Sequence, residues 1–222
     1  MRELITKDGS ITFYSEEYNE TYHSVTGAVE EAFKKFVEPT HIANLAELGM
    51  VSILDVCFGL GYNSAAAIDK ILDVNPECKI IIVGLEKDEK ILKAIPGIFC
   101  LQIKSYNIIK ELVKNKLVNN NYEYDNHNVK ITLLVCDALD GIKKLKLRFD
   151  IIFHDPFSPK KNPELWTEEF FKELRKHIKE DGVFTTYSCA GQIRRNLKAA
   201  GFSVKDGPCV GRRAPSTIAL PL

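Results

Sequence analysis

The stretch Val51-Ser52-Ile53-Leu54-Asp55-Val56-Cys57-Phe58-Gly59-Leu60-Gly61-Tyr62-Asn63 is an almost unbroken apolar run that stops at two glycines and passes into a helix-like pattern over 63–72. A strand without polar alternation is buried on both faces, as in a parallel sheet covered by helices. The same design recurs downstream. Lys79-Ile80-Ile81-Ile82-Val83-Gly84-Leu85-Glu86 is a β-branched run ending in an acid, and a helical stretch starts at Asp88. Val129-Lys130-Ile131-Thr132-Leu133-Leu134-Val135-Cys136-Asp137 and Phe149-Asp150-Ile151-Ile152-Phe153-His154-Asp155 end the same way. A helix over 163–178, a strand over 182–187, a helix over 191–200 and strands near Phe202 and Ile218 complete the series. Strands alternating with helices, joined by right-handed crossovers, predict a doubly wound, Rossmann-like α/β sheet. The Asn-rich stretch 119–128 reads as an exposed loop.

Upstream, 10–15 alternates polar and apolar residues as a short strand does, and Val25, Val29, Ala32, Phe33 and Phe36 share one helical face. Residues 1–50 are therefore expected to be a small strand and helix extension of the same domain, with the main domain over 51–222. Apolar residues make up 45% and charged residues 27%, an ordinary globular balance that excludes whole-chain disorder or coiled coil. No apolar run reaches the roughly 18 residues of a membrane span. The N-terminus lacks a signal peptide's apolar core, so a cytoplasmic protein without membrane contact is expected. The six cysteines form no C-x-x-C pair; they are expected to be free thiols used as small buried side chains, and no metal site is expected. His41, His127 and His177 lie in no motif and read as surface or packing residues. The net charge of zero is unevenly spread: 4 Lys+Arg against 9 Asp+Glu in 1–49, 14 of each in 50–155, and 12 against 7 in 156–222. A neutral total argues against nonspecific coating of nucleic acid, while a basic back half allows one face to meet a polyanion.

In a doubly wound sheet the ligand sits beyond the C-terminal strand ends, which here carry Gly59, Gly61, Glu86, Asp137 and Asp155. The glycine turn is not G-x-G-x-x-G, because position 64 is Ser, and it lacks the Lys-Ser/Thr pair of a triphosphate loop. Glycines there let the backbone approach a ligand, and the helix start offers free N–H donors. Glu86 is placed to bind ribose hydroxyls, and Asp137, followed by Ala138, to accept from an adenine amine. Either acid alone could equally be a helix N-cap. Together they point to an adenosine cofactor without pyrophosphate, a description that S-adenosylmethionine (SAM) meets. Asp155 opens the proline-stiffened loop Asp155-Pro156-Phe157-Ser158-Pro159-Lys160-Lys161-Asn162-Pro163, where SAM-dependent methyltransferases present an acceptor nitrogen. A structural cap is the alternative role for Asp155.

The sequence resembles the methyltransferase module of the enzyme that completes 5-methylaminomethyl-2-thiouridine at the tRNA wobble position. The resemblance is carried by Leu54 through Asn63, Asp155 through Trp166, Thr185-Thr186-Tyr187-Ser188-Cys189-Ala190-Gly191, Arg194 through Phe202 and Gly211-Arg212-Arg213, and by Tyr14 through Ser24 upstream. It implies methyl transfer from SAM to the primary amine of 5-aminomethyluridine. It also implies that Tyr22 and His23 fold over the cofactor; Asn63, at the helix start, is placed to hold the methionine end, and Asp155 to orient the amine, with acceptance of its proton as the alternative role. Phe157 and Trp166 become candidates to stack the uracil, although Trp166 is equally a core residue. Lys160, Lys161, Arg194, Arg195, Lys198, Arg212 and Arg213 become candidates for anticodon stem-loop phosphates. With no flavin oxidase module after Leu222, a stand-alone methyltransferase is expected. The rival readings are a transferase acting on a polyamine and a SAM-binding or tRNA-binding module without catalysis. A nicotinamide oxidoreductase fits less well.

Overall fold

The computed structural model describes residues 1–211 and 213–222. The chain opens with β1 (Arg2–Ile5), β2 (Ile11–Ser15) and β3 (Glu20–Thr21), a small antiparallel sheet of its own. Helix α1 (Ala28–Glu31) runs on as a π-helical turn, Ala32–Val37, and α2 (Ile42–Glu47) follows. The main series is β4 (Met50–Val56), α3 (Tyr62–Val74), β5 (Lys79–Glu86), α4 (Glu89–Ala94), α5 (Tyr106–Leu112), β6 (Tyr122–Asn126), β7 (Val129–Val135), α6 (Ala138–Ile142) and β8 (Phe149–His154). It closes with α7 (Glu168–Lys176), β9 (Ile178–Thr186), α8 (Gly191–Ala199), β10 (Phe202–Asp206) and β11 (Thr217–Pro221).

Eight strands form one sheet in the order β10-β11-β9-β8-β4-β5-β7-β6. The five central strands are parallel, and the edges are finished by antiparallel pairs. From β4 the chain winds outward through β5 to β7, then returns to β8 on the other side of β4. Strand order therefore reverses between β4 and β8, which is where a doubly wound sheet opens its binding crevice. Successive side chains of a strand face opposite layers. Val51, Ile53, Ile80 and Ile82 pack with α1, α3 and α5, whereas Leu54, Val56, Val83 and Leu85 pack with α6, α7 and α8. The extension shares the first of these cores through Ala28, Ala32, Phe36 and Ile42, all buried.

Several local expectations change. The Asn-rich stretch is not simply a loop: Tyr122–Asn126 pairs antiparallel with β7, and Tyr122 is buried. Its alternation of tyrosines with polar residues is a half-buried strand pattern. The helix expected over 163–178 is a 3₁₀ turn at Pro163–Trp166 followed by α7. The hydroxyl of Thr167 accepts from the Phe170 N–H at 3.2 Å and starts the new helix. Val25 lies before α1 and is exposed. Of the six cysteines, only Cys78 is buried and Cys209 is exposed; all are free thiols. No described helix is long and apolar enough to cross a membrane.

Candidate active site

The exit of β4 is pinned from β5. The N–H groups of Cys57 and Phe58 both donate to the Leu85 carbonyl, at 2.9 and 3.0 Å, and Cys57 holds a left-handed φ of 65°. The Gly59 N–H donates to Glu86 Oε2 at 2.8 Å, and the Asp88 N–H donates to Glu86 Oε1 at the same distance. The two glycines then part company. Gly59 (φ 54°) faces a cavity and lies beneath Tyr22. Gly61 (φ 75°) faces inward, where a Cβ would stand 2.7 Å from Ile109 and 2.8 Å from the Phe58 ring. Gly61 is therefore a packing glycine at the start of α3, not a cavity residue as expected. Beneath the turn, buried Asp55 accepts from the Ser64 hydroxyl at 2.6 Å, and burial pushes its carboxyl up to about 7.

The cavity, about 280 Å³, opens at the C-terminal ends of the central strands. It is lined there by Cys57, Gly59, Glu86, Asp137, Ala138 and Asp155. Asp137 is also the N-cap of α6, accepting from the Leu139 N–H at 2.9 Å, so the cap role and the cavity position coexist. Asn63 sits behind the lining: its Nδ2 donates to Asp155 Oδ2 at 3.0 Å, while its buried Oδ1 has no partner among the described residues. Burial, and then the charge of Glu31, hold the Asp155 carboxyl well above the usual carboxylate range.

The extension closes the cavity from above. Tyr22 donates its hydroxyl to Asp88 at 2.6 Å, which together with burial raises its phenol. His23 is buried against Tyr62, and burial pushes its imidazole down to about 4, so it is neutral at pH 7. Glu20 reaches the proline loop, accepting from both the N–H (3.0 Å) and the hydroxyl of Ser158. Tyr18 stacks on Phe157 with ring centroids 4.4 Å apart and planes 17° apart, and Tyr22 meets Phe157 edge-on. One face of Phe157 is thus covered by a tyrosine, while the residue still lines the cavity. Trp166 is buried and donates its indole N–H to the Phe157 carbonyl at 2.9 Å, which makes it a brace for the loop rather than a stacking surface.

Sequence reading missed Tyr18, Glu20, Glu31, Lys35 and Asp88 on the cavity wall. A signal for two of them was present: Glu31 and Lys35 fall at helical spacing beside apolar Ala32 and Phe36, inside the buried stripe. The basic residues also divide. Lys160, Arg195, Lys198 and Arg213 are exposed and Lys161 is half-buried. Arg194 is not free for a phosphate, because it bonds the Thr217 hydroxyl (3.0 Å), the Ser216 carbonyl (3.1 Å) and Asp206 (2.6 Å), tying α8 to the β10–β11 hairpin. Arg212 lies outside the described residues. Among the described residues no His, Cys, Asp and Glu side chains gather as a metal site.

An acid-ended parallel sheet with a glycine turn and a cavity at its switch point is the architecture of a nucleoside-cofactor enzyme. A family model described as S-adenosyl-L-methionine-dependent methyltransferase matches residues 102–221, and the chain belongs to that family. Within it the chain is of the MnmC2 type. The crystal structure of MNMC2 from Aquifex aeolicus superposes with a TM-score of 0.84 at 34% identity, covering 99% of this chain and 70% of that one. An uncharacterised protein of Methanocaldococcus jannaschii is 35% identical over 96% of this chain and 58% of its own length. The tRNA 5-methylaminomethyl-2-thiouridine biosynthesis bifunctional protein MnmC of Pseudomonas putida is 27% identical over 90% of this chain. The chain spans 32% of that bifunctional relative's length. SAM is the cofactor of this family, and the strand-end acids, the glycine turn and the unpaired Asn63 oxygen suit it chemically.

Proposed function

We propose that this chain methylates the primary amine of 5-aminomethyluridine, with or without the 2-thio group, at the wobble position of tRNA. The observation that carries the reading is the placement of Asp155 and its proline loop on the wall of the cofactor cavity, under the Tyr18–Tyr22 strap. The similarity to MNMC2 over nearly the whole chain supports it. In this reading Gly59, Glu86, Asp137 and Ala138 hold the adenosine, Asn63 serves the methionine end, and Tyr22 and His23 cover it. When bound, SAM supplies a methyl group on a positively charged sulfur.

The protein's own contribution is alignment and control of protons. An alkylamine has a pKa of about 10 in water, so at neutral pH it arrives as an ammonium without a free lone pair. Asp155, held by Asn63, orients the nitrogen, and Pro156 fixes the angle at which the loop presents it. A base lying within an anticodon stack must leave it to reach the cavity. Lys160, Lys161, Arg195, Lys198 and Arg213 supply phosphate contacts; the pocket supplies the choice of base.

The test is label transfer from SAM into tRNA carrying wobble 5-aminomethyluridine, with unmodified tRNA as control. Label recovered as the methylaminomethyl nucleoside, from modified tRNA alone, is the expected result. A second reading, a small polyamine acceptor, is favoured by the acidity of the wall, where Glu20, Glu31, Glu86, Asp88, Asp137, Asp155 and Glu164 face Lys35 and Lys87. Free polyamine in the same assay separates the two.

A further inference from the structure

The cavity wall holds a second carboxylate beside Asp155. Glu31, at the end of α1, is 8% exposed, and Lys35, on the π-helical turn, is 4% exposed. Their side chains form an ion pair at 2.5 Å, and the other oxygen of Glu31 accepts the Ser24 N–H at 2.9 Å. Both residues face the cavity that Asp155 faces. Buried charged residues are retained when they are paired, and π-helical turns concentrate at functional sites.

Charge counting gives the cluster a purpose. Glu31 and Asp155 bring two carboxylates, and Lys35 brings one ammonium. The cavity's other cation among the described residues, Lys87, lies near Tyr18, Asp137 and Glu164; beside Glu31 and Asp155, His23 is neutral, Cys57 is a thiol raised by burial, and Asp55 is acidic. In the empty site burial and Glu31 raise the Asp155 carboxyl; only with Asp155 ionised is the cluster one positive charge short. An alkylammonium brings one positive charge and three N–H donors to that cluster.

We infer that Glu31 is the second carboxylate of the acceptor site: the acceptor ammonium docks between Glu31 and Asp155, which hold and aim its nitrogen. The inference rests on the amine-methylation reading above. The nitrogen sheds a proton to solvent, leaving a neutral amine. The nitrogen lone pair then forms the N–CH₃ bond as the S–CH₃ bond breaks and sulfur keeps the electron pair. Asp155 positions the nitrogen, and burial beside Glu31 keeps Asp155 itself from competing with that negative charge in the empty site.

An ammonium could also come from the amino group of SAM, and the test separates the two sources. Glu31→Gln is compared with wild type for SAM affinity by calorimetry and for methyl transfer to the amine. The expected result is a SAM Kd within threefold of wild type and a loss of at least 100-fold in transfer at pH 7. Raising the pH to 9 should recover at least tenfold in the variant, since solution then deprotonates the amine. The charge-swapped Glu31→Lys/Lys35→Glu variant keeps the ion pair for folding and should bind SAM yet stay inactive. Wild-type activity in either variant overturns the inference, as does a weakened SAM Kd with unchanged dependence on the acceptor. A wild-type protein that binds SAM but methylates no amine would instead overturn the parent reading and this one with it.

Discussion

Asp155 and His154 are adjacent and face different worlds. Asp155 turns into the cavity, whereas His154 is fully buried among Trp166, Phe170, Phe171 and Phe184 and bonds the Leu165 carbonyl through Nε2 at 2.9 Å. Replacing Asp155 with Ala should lower methyl transfer by at least 100-fold while SAM affinity, read by calorimetry, stays within a few-fold; lost SAM binding would make it a cofactor residue instead. Burial pushes the His154 imidazole down to about 3 from 6.5. The unfolded chain then takes up a proton below pH 6.5 that the folded chain refuses, so stability present above pH 6.5 is lost as pH falls toward 3. Between pH 7 and pH 5 this amounts to about 2 kcal/mol. Urea titrations at the two pH values should show a His154→Gln variant losing less stability than wild type by about that amount.

At the scale of elements, the extension is a strap. Glu20 grips the proline loop, Tyr22 grips Asp88 at the start of α4, and Tyr18 lies on Phe157 between them. Cutting one grip should loosen the cover without disturbing the sheet. Glu20→Ala is expected to speed SAM release about tenfold in stopped-flow chase experiments, with a melting temperature close to wild type. An unchanged release rate would assign the strap to the acceptor alone. Strands β4, β5, β7 and β8 were legible because each is a local apolar run with an acid or glycine at its end. The edge strand β6 was not, because its short alternation of two tyrosines with polar residues lies within an Asn-rich stretch that reads as a loop until it pairs with β7.

At the scale of the whole molecule, the neutral total conceals a division between exposed and committed cations. Arg195 is exposed, while Arg194 is held by Thr217, Ser216 and Asp206. Arg195→Glu should weaken tRNA binding and flatten its dependence on salt by about one unit of slope per lost phosphate contact. Arg194→Glu should lower the melting temperature and leave that slope alone. Filter binding across salt concentrations, beside thermal melts, distinguishes them; equal slopes for Arg195→Glu and wild type would place the tRNA face elsewhere.

The amino-acid sequence by itself determined the doubly wound sheet, the strand-end acids and the nucleoside cofactor, because strand burial and strand ends are local patterns. It could not separate Gly59 from Gly61 or Arg194 from Arg195, since a turn, or a helix rotating about 100° per residue, points neighbours at different surroundings. The tertiary structure alone decided that Tyr18 covers Phe157 and that Glu31 and Lys35 share a wall with Asp155. These groups come from segments more than 100 residues apart, as with the 138-residue separation of Glu20 and Ser158. No periodicity in sequence records such a meeting; it exists only once the sheet has closed and the extension has packed across its strand ends.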